Sequence, residues 1–589
     1  MTTGPSTPVD LNHDLDALAS TVSAHPQDVE ARVNLFWALT KAARYDESLE
    51  QAKAIVHLAP KAPEGYLFTG NMLVMLERHL EASEVYERGL DLNPDAVELA
   101  RGAGNAYLNR TDYEGALRAF HHAVRLAPRE PLSHVDLGRL RHKQTRYADA
   151  LRHLERALAI DPDDVTALTH VGVVWRSLRQ WDKAISAFER AYELEPENPK
   201  VLAHLGTFAM LNGEVARACE LFVLANELVP GQAELLSLLG GAELNAGQWS
   251  LAGEHLAAGL AAAPTRSDVR FNYSLYLLTM GELAQGWDAF EAGLDLEQRA
   301  VSWQFPPWGE QNVEGKSLYI AAEQGLGDEI MFASCLPDLV RDVGPQGRIV
   351  AGLDRRLTGL LRRAFPEVEF IVDPKLAGAA QVRQLEGIDG QLAIGSLAHR
   401  YRRAESDFPA IRRFLAPLPD VSQFVAERLA TFGDGIKVGI SWRGGGLPLT
   451  RAHRSIELAD WAPLLGRDDV IPFNLQYGDT RDELAALHIE THVTVHDINV
   501  DLKNDLEGLS ALLANLDLVI SVDNTTVHLA GALGVETWMI VPAKPDWRWM
   551  LERQDSPWYP SLRLFRRDAD EAPAGVFERL GQALDARPS

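Results

Sequence analysis

Cysteine is nearly absent: Cys219 and Cys335 are the only two in 589 residues. Each lies in an apolar helical stretch, so the sequence predicts two buried thiols rather than a disulfide or a metal site. Long apolar runs are missing too, and none approaches the length that spans a bilayer. The opening MTTGPSTPVDLNHDL has neither a basic region nor an apolar one and does not read as a secretory signal. A cytoplasmic protein is expected. Positive charge is the third shortage. The chain carries 57 Lys and Arg against 83 Asp and Glu, a formal net charge of -26. Such an excess repels a phosphate backbone at long range and argues against nucleic acid as the main ligand, although a local basic cluster can still hold one small anion. Hydrophobic content of 46% is that of a globular chain, and the length calls for at least two domains.

What the first half has in abundance is period. Pro26, Pro60, Pro94, Pro128, Pro162, Pro196, Pro230 and Pro264 fall 34 residues apart. In phase with them run Gly70, Gly104, Gly138, Gly172, Gly206 and Gly240, then Ala82, Ala116, Ala150, Ala184, Ala218 and Ala252. A large residue follows each alanine, as in Tyr86, Phe120, Leu154, Phe188, Phe222 and Leu256. This pattern closely resembles the tetratricopeptide repeat. Small residues let two helices approach, large ones fill the space between them, and proline ends the second helix. The resemblance implies an α-helical solenoid of about eight repeats over residues 29–300, after a lead-in at 1–28, with a groove that holds a protein. A second copy of the chain is the other candidate occupant. The first repeat (Phe36, Ser48, Ile55) and the last (Ser274, Gly286, Gly293) depart from the pattern, as end caps do.

Residues 301–316 break the period. Pro306 and Pro307, flanked by Trp303, Phe305 and Trp308, suit a packed hinge rather than a flexible tether. From 317 onward, short apolar strands alternate with helices, which implies parallel sheets with right-handed crossovers. Strands are expected at 317–322, 348–353, 368–372, 391–395, 437–442, 471–476, 518–522, 538–542 and 563–567. Two such sets suggest two Rossmann-like lobes, 317–435 and 436–589, with a cleft at their strand ends.

Three segments there carry chemistry, and each has a plainer alternative. Glu323 to Glu329 contains Gly325, Gly327 and Asp328 after a strand; Asp328 can serve as an N-cap or as a reactive carboxylate. Asp523, Asn524, Thr525, Thr526 and His528 open a helix whose amides and dipole suit an anion, while capping by Asp523 or Asn524 and a packed histidine are the structural readings. Trp442, Arg443, Gly444, Gly445 and Gly446, followed by Arg451, His453 and Arg454, form a glycine loop with cations able to neutralise phosphate, or a solvated basic loop. The aromatic segment from Pro545 to Pro560 can stack a base or sugar, or pack the C-terminal region.

Together these motifs are similar to those of ADP-heptose:lipopolysaccharide heptosyltransferases, in the strand-GLGD-helix unit and in DNTTVHLAGALG. That resemblance implies a GT-B fold, Asp328 as catalytic base, and phosphate binding by Asp523, Asn524, Thr525 and Thr526. Arg454, seven residues before Trp461, stands where that family has a lysine, which keeps the charge and alters the geometry. Gly325, Gly327, Trp442, Arg443 and His528 are secondary substrate-binding candidates. Repeats joined to such a unit resemble the O-GlcNAc transferase architecture and, over nearly the whole chain, bacterial repeat-containing flagellin glycosyltransferases that transfer a nonulosonic acid. The implied activity is an inverting, metal-independent protein O-glycosyltransferase with a nucleotide sugar as substrate and no cofactor. A lipopolysaccharide-type transferase and a non-catalytic scaffold with a vestigial nucleotide domain are the competing readings.

Overall fold

The computed structural model describes residues 11–296, 299, 301–372, 385–445, 454–568 and 571–587. Gly446, Arg451 and His453 of the glycine loop lie outside the described residues. The repeats are helical hairpins, from Val29–Lys41 with Tyr45–Leu58 to Ser267–Thr279 with Leu283–Phe290. The sequence makes them by exchange of size between facing positions. A Cβ at Gly70 would lie 2.4 Å from the Tyr86 ring, and one at Gly104 would lie 2.4 Å from Phe120. Gly138 meets Leu154, Gly172 meets Phe188, and Gly206 meets Phe222 in the same way. In the first hairpin the sizes are swapped, with Phe36 on the first helix and Ala52 on the second, both buried in one cluster. This hairpin is not the end of the array. Leu15 and Val22 of an added helix, Leu11–Ala24, pack on its Ala31, Leu35 and Leu39.

Each turn inside a hairpin uses one left-handed residue, again at the 34-residue interval. These are Ala43, Glu77, Thr111, Thr145, Arg179, Gly213, Gly247 and Gly281. In the first, the Arg44 amide donates to Leu39 O at 2.9 Å, the long backward bond that closes a helix C-terminus.

Compactness divides the chain differently from periodicity. One unit is Met1–Leu205 and the other Gly206–Ser589, so the last repeats belong with the α/β region rather than ending at residue 300. The reason is visible in the core of the second unit. Trp287 and Phe290 of the last hairpin are fully buried, the Trp287 ring meets Phe332, Trp547 and Trp558 edge-on, and its indole N–H donates to Arg402 O at 2.9 Å. The linker is packed as well. Gln391 accepts the amides of Gln304 and Phe305 on its side-chain oxygen and donates to Ser302 O, while Pro307 pairs alongside it as an isolated bridge.

The α/β region holds two parallel sheets. The first contains β1 (Ser317–Ala321), β2 (Arg348–Leu353), β3 (Val368–Val372) and β4 (Gly390–Ala393) in the order β3-β2-β1-β4. The second contains β5 (Ile436–Ser441), β6 (Val470–Asn474), β7 (Leu518–Val522), β8 (Thr537–Val541) and β9 (Leu562–Arg566) in the order β6-β5-β7-β8-β9. All nine expected strands are present. A buried ion pair ties the repeats to the first sheet. Arg299 Nε donates to Glu323 Oε2 at 2.7 Å and its Nη2 to Oε1 at 3.0 Å, with neither side chain exposed. Cys335 is buried, Cys219 is partly so, and both are free thiols. Among the described residues, no helix is long and apolar enough to cross a membrane.

Candidate functional site

Two short helices meet where the motifs lie. Leu326–Ala333 follows β1, Thr525–Ala532 follows β7, and they pack against each other. Gly327 permits the approach, since a Cβ there would sit 2.8 Å from His528 Cδ2. Asp328 Oδ2 accepts the Gly325 amide at 3.1 Å, so Asp328 is not the N-cap expected of it but supports the N-cap Gly325 from the third helical position. Its other oxygen accepts from Arg548, Nε at 2.8 Å and Nη2 as well. Arg548 also pairs with Asp546 Oδ1 at 2.5 Å. Asp546 Oδ2 accepts from Arg454 Nη2 at 2.9 Å, and Arg454 Nη1 lies 3.3 Å from Asp523 Oδ2. Asp328, Arg548, Asp546, Arg454 and Asp523 therefore form one alternating chain of charge.

The electrostatics follow from burial. Asp523 is 3% exposed, and its desolvation pushes the carboxyl above the usual range against the opposing pull of Arg454. Asp546 is desolvated as well, yet Arg548 and Arg454 together hold it low. The Asp523 charge raises Arg454, and Asp328 and Asp546 raise Arg548 despite its own desolvation. His528 is pushed down to about 4 by burial; its Nδ1 lies 3.0 Å from Tyr559 Oη and its ring packs on Trp549. It is a packed, neutral histidine whose edge touches Gly327.

The turn after β7 is mostly occupied in holding itself. Asn524 Oδ1 accepts the Thr526 amide at 3.0 Å, and its Nδ2 donates to Ser441 Oγ at 2.7 Å and Arg443 O at 3.1 Å. Asp523, Asn524 and Thr526 are buried, and Thr525 alone of the four has appreciable exposed surface. Trp442 does not face a ligand: it is fully buried and donates its indole N–H to Glu483 at 3.2 Å. Arg443 turns to Glu483 and Asp479 O, away from the Asp328 group. Trp547, Trp549, Trp558 and Tyr559 are buried, so the aromatic segment packs rather than stacks on a ligand.

Tetratricopeptide-repeat models match residues 33–97, 101–165 and 177–240. The N-terminal half is a tetratricopeptide-repeat array. The chain is 36% identical over 308 residues to Protein FlbA of Caulobacter vibrioides, which covers 50% of this chain and 51% of that protein. It thus matches about half the length of that curated relative. Among solved structures, the APC/C hetero-tetramer Cut9-Hcn1 shows 17% identity over 45% of this chain and 53% of its own, with a TM-score of 0.35. PilF of Pseudomonas aeruginosa shows 15% identity over 35% of this chain and 95% of its own, with a TM-score of 0.29.

Three residues of the site were not singled out from sequence. Arg548 and Asp546 stand within the tryptophan-rich segment, where alternating charges in a buried stretch signal partners elsewhere. Gln476, 2% exposed, accepts from Ser441 Oγ and the amides of Trp442 and Arg443, fixing the end of β5. Beside it opens a polar cleft of about 310 Å³ lined by Tyr477, Asp479, Asp497, Asp501 and Lys503. Among the described residues, no group of three or more His, Cys, Asp or Glu is placed to hold a metal ion.

Proposed function

We propose that the chain is a glycosyltransferase of GT-B type that moves a sugar from a nucleotide sugar to a Ser or Thr hydroxyl of a protein held by the repeats. The observation that carries the reading is the bridge from Asp328 through Arg548 and Asp546 to Arg454 and Asp523. It joins a carboxylate after β1 to two guanidiniums beside the turn after β7. Two desolvated guanidiniums suit the phosphates of a donor and stabilise the negative charge that develops on the departing nucleotide, without a metal.

The same bridge gives an order of events. In the structure both oxygens of Asp328 are engaged, one by Arg548 and one by the Gly325 amide. Donor phosphate competes with the aspartates for Arg454 and Arg548. As Arg548 turns to the phosphate, Asp328 Oδ1 becomes an acceptor. The acceptor hydroxyl then attacks the anomeric carbon, its proton passes to Asp328, and the bond to the nucleotide phosphate breaks with inversion. The acceptor is flagellin and the sugar a nonulosonic acid, on the resemblance to the repeat-containing flagellin glycosyltransferases.

The engaged state of Asp328 also favours a second reading, a scaffold with no chemistry. Calorimetric titration of the full chain with a panel of CMP-, UDP- and ADP-linked sugars separates the two. One donor is expected to bind, and Arg454→Ala is expected to weaken it by about tenfold or more. If no member of the panel binds, the scaffold reading stands.

A further inference from the structure

One cavity in the repeats carries a charge opposite to that of the chain as a whole. Within residues 1–205, a cavity of about 310 Å³ is lined by Arg139, His142 and Lys143 of Pro131–Lys143, His170 and Arg176 of Val165–Ser177, and His204. Leu154 and Val174 supply an apolar floor. Among the described residues, none that lines it is acidic, although the chain carries a formal charge of -26. The nearby acid, Asp136, is buried and already bound by two cations, Arg101 at 2.8 Å and Arg139 at 3.2 Å.

One of the cations is held in place by neighbouring side chains. Arg139 Nη1 donates to Asn105 Oδ1 at 3.0 Å as well as to Asp136, so its head is positioned before any ligand arrives. Lys143 is exposed at the mouth. Burial holds His170 down at about 3 and His204 at about 4, with Arg139 adding to the effect on the first and Arg176 to that on the second. His142 is lowered by burial and then by Lys143 and Arg176. At neutral pH the three rings are therefore uncharged hydrogen-bonding walls among the positive charges.

We infer that this groove binds an acidic, partly apolar stretch of a partner polypeptide, with carboxylates at Arg139, Lys143 and Arg176 and an apolar side chain against Leu154 and Val174. Charge complementarity selects the sign of the partner and speeds its capture. A polypeptide fits better than a nucleic acid because the apolar floor of Leu154 and Val174 takes a side chain and has nothing to offer a sugar-phosphate backbone. The inference narrows what the repeats hold in the proposed function, yet it stands on the charge of this cavity alone and does not require sugar transfer.

The test is fluorescence anisotropy of the full chain with three labelled probes: an alternating Glu-Leu peptide, its Lys-Leu counterpart, and single-stranded oligothymidine. The Glu-Leu peptide is expected to bind, with affinity falling as salt rises. Lys143→Glu is expected to weaken it, and Lys143→Glu with Arg176→Glu by about tenfold or more. Arg152→Glu, on a side chain 76% exposed and outside the lining, is expected to change it little. Circular dichroism reports whether the double variant folds; Lys143→Glu alone decides the matter if it does not. The proposal is overturned if the Glu-Leu peptide fails to bind, if the Lys-Leu peptide or the oligonucleotide binds as well or better, or if Arg152→Glu weakens binding as much as Lys143→Glu.

Discussion

The repeats and the α/β region hold themselves together over very different distances along the chain. In the repeats, the decisive contact joins residues 16 apart, Gly104 with Phe120 or Gly172 with Phe188, and recurs with each hairpin. In the α/β region it joins Asp328 to Arg548 across 220 positions and Arg454 to Asp546 across 92. The first kind of contact is written as a period. The second is written nowhere as a pattern and exists only once the chain has folded. A defect should therefore stay local in the repeats, where each unit leans on its neighbours, and spread in the α/β region, where one buried pair joins several elements.

The largest effect that can break this comparison is at Arg299. Arg299→Ala leaves Glu323 buried without its cation and is expected to cost about 3–5 kcal/mol. Hydrogen exchange should rise together in β1, in the segment after β4 and in Leu283–Phe290; a rise confined to one of them would count against the comparison. Next comes Gly104→Leu, which forces a side chain into the Phe120 ring and is expected to cost about 1–3 kcal/mol. Here faster exchange should stop within a hairpin or two of residues 97–126, leaving β5 to β9 at wild-type protection.

Acid sharpens the contrast further. Burial lowers His153 to about 4, His170 to about 3 and His204 to about 4 in the folded repeats, from an ordinary 6.5. As pH falls below 6.5 the unfolded chain takes up protons that the folded chain refuses. The stability these groups support is thus present above 6.5 and lost as pH falls through their folded values, at up to about 1.4 kcal/mol per pH unit for each. The repeat transition in thermal melts should drop between pH 7 and 5, and His170→Gln should lessen the drop. The smallest expected effect is a gain. Thr111 is a β-branched residue at a φ of 59°, so Thr111→Gly should raise repeat stability by about 0.5–1 kcal/mol in urea unfolding.

Legibility followed the same division. The repeat interval, the nine strands and the place of the linker could be read because each depends on neighbours in sequence. The added helix Leu11–Ala24 was missed because residues 1–28 lack the repeat signature, although Leu15 and Val22 are spaced to cover a hairpin. At the site, Asp328, Arg454 and the 523–526 turn were visible as motifs. Their roles were only half visible: Asn524 and Thr526 serve the turn itself, and Trp442, which a glycine loop made look exposed, belongs to the core. Arg548, which links Asp328 to the rest, was hidden among tryptophans. No local pattern announces a cation whose partner lies 220 residues away.

In the proposed transfer, Asp328 is the group that takes the proton. The direct measurement is the intact mass of flagellin incubated with the full chain and its nucleotide sugar, beside Asp328→Asn at equal protein and time. With the wild-type chain the account predicts mass increments of whole sugar residues on flagellin, and with Asp328→Asn a rate lower by about a hundredfold or more. Unmodified flagellin with the wild-type chain, or equal increments with the variant, would contradict it.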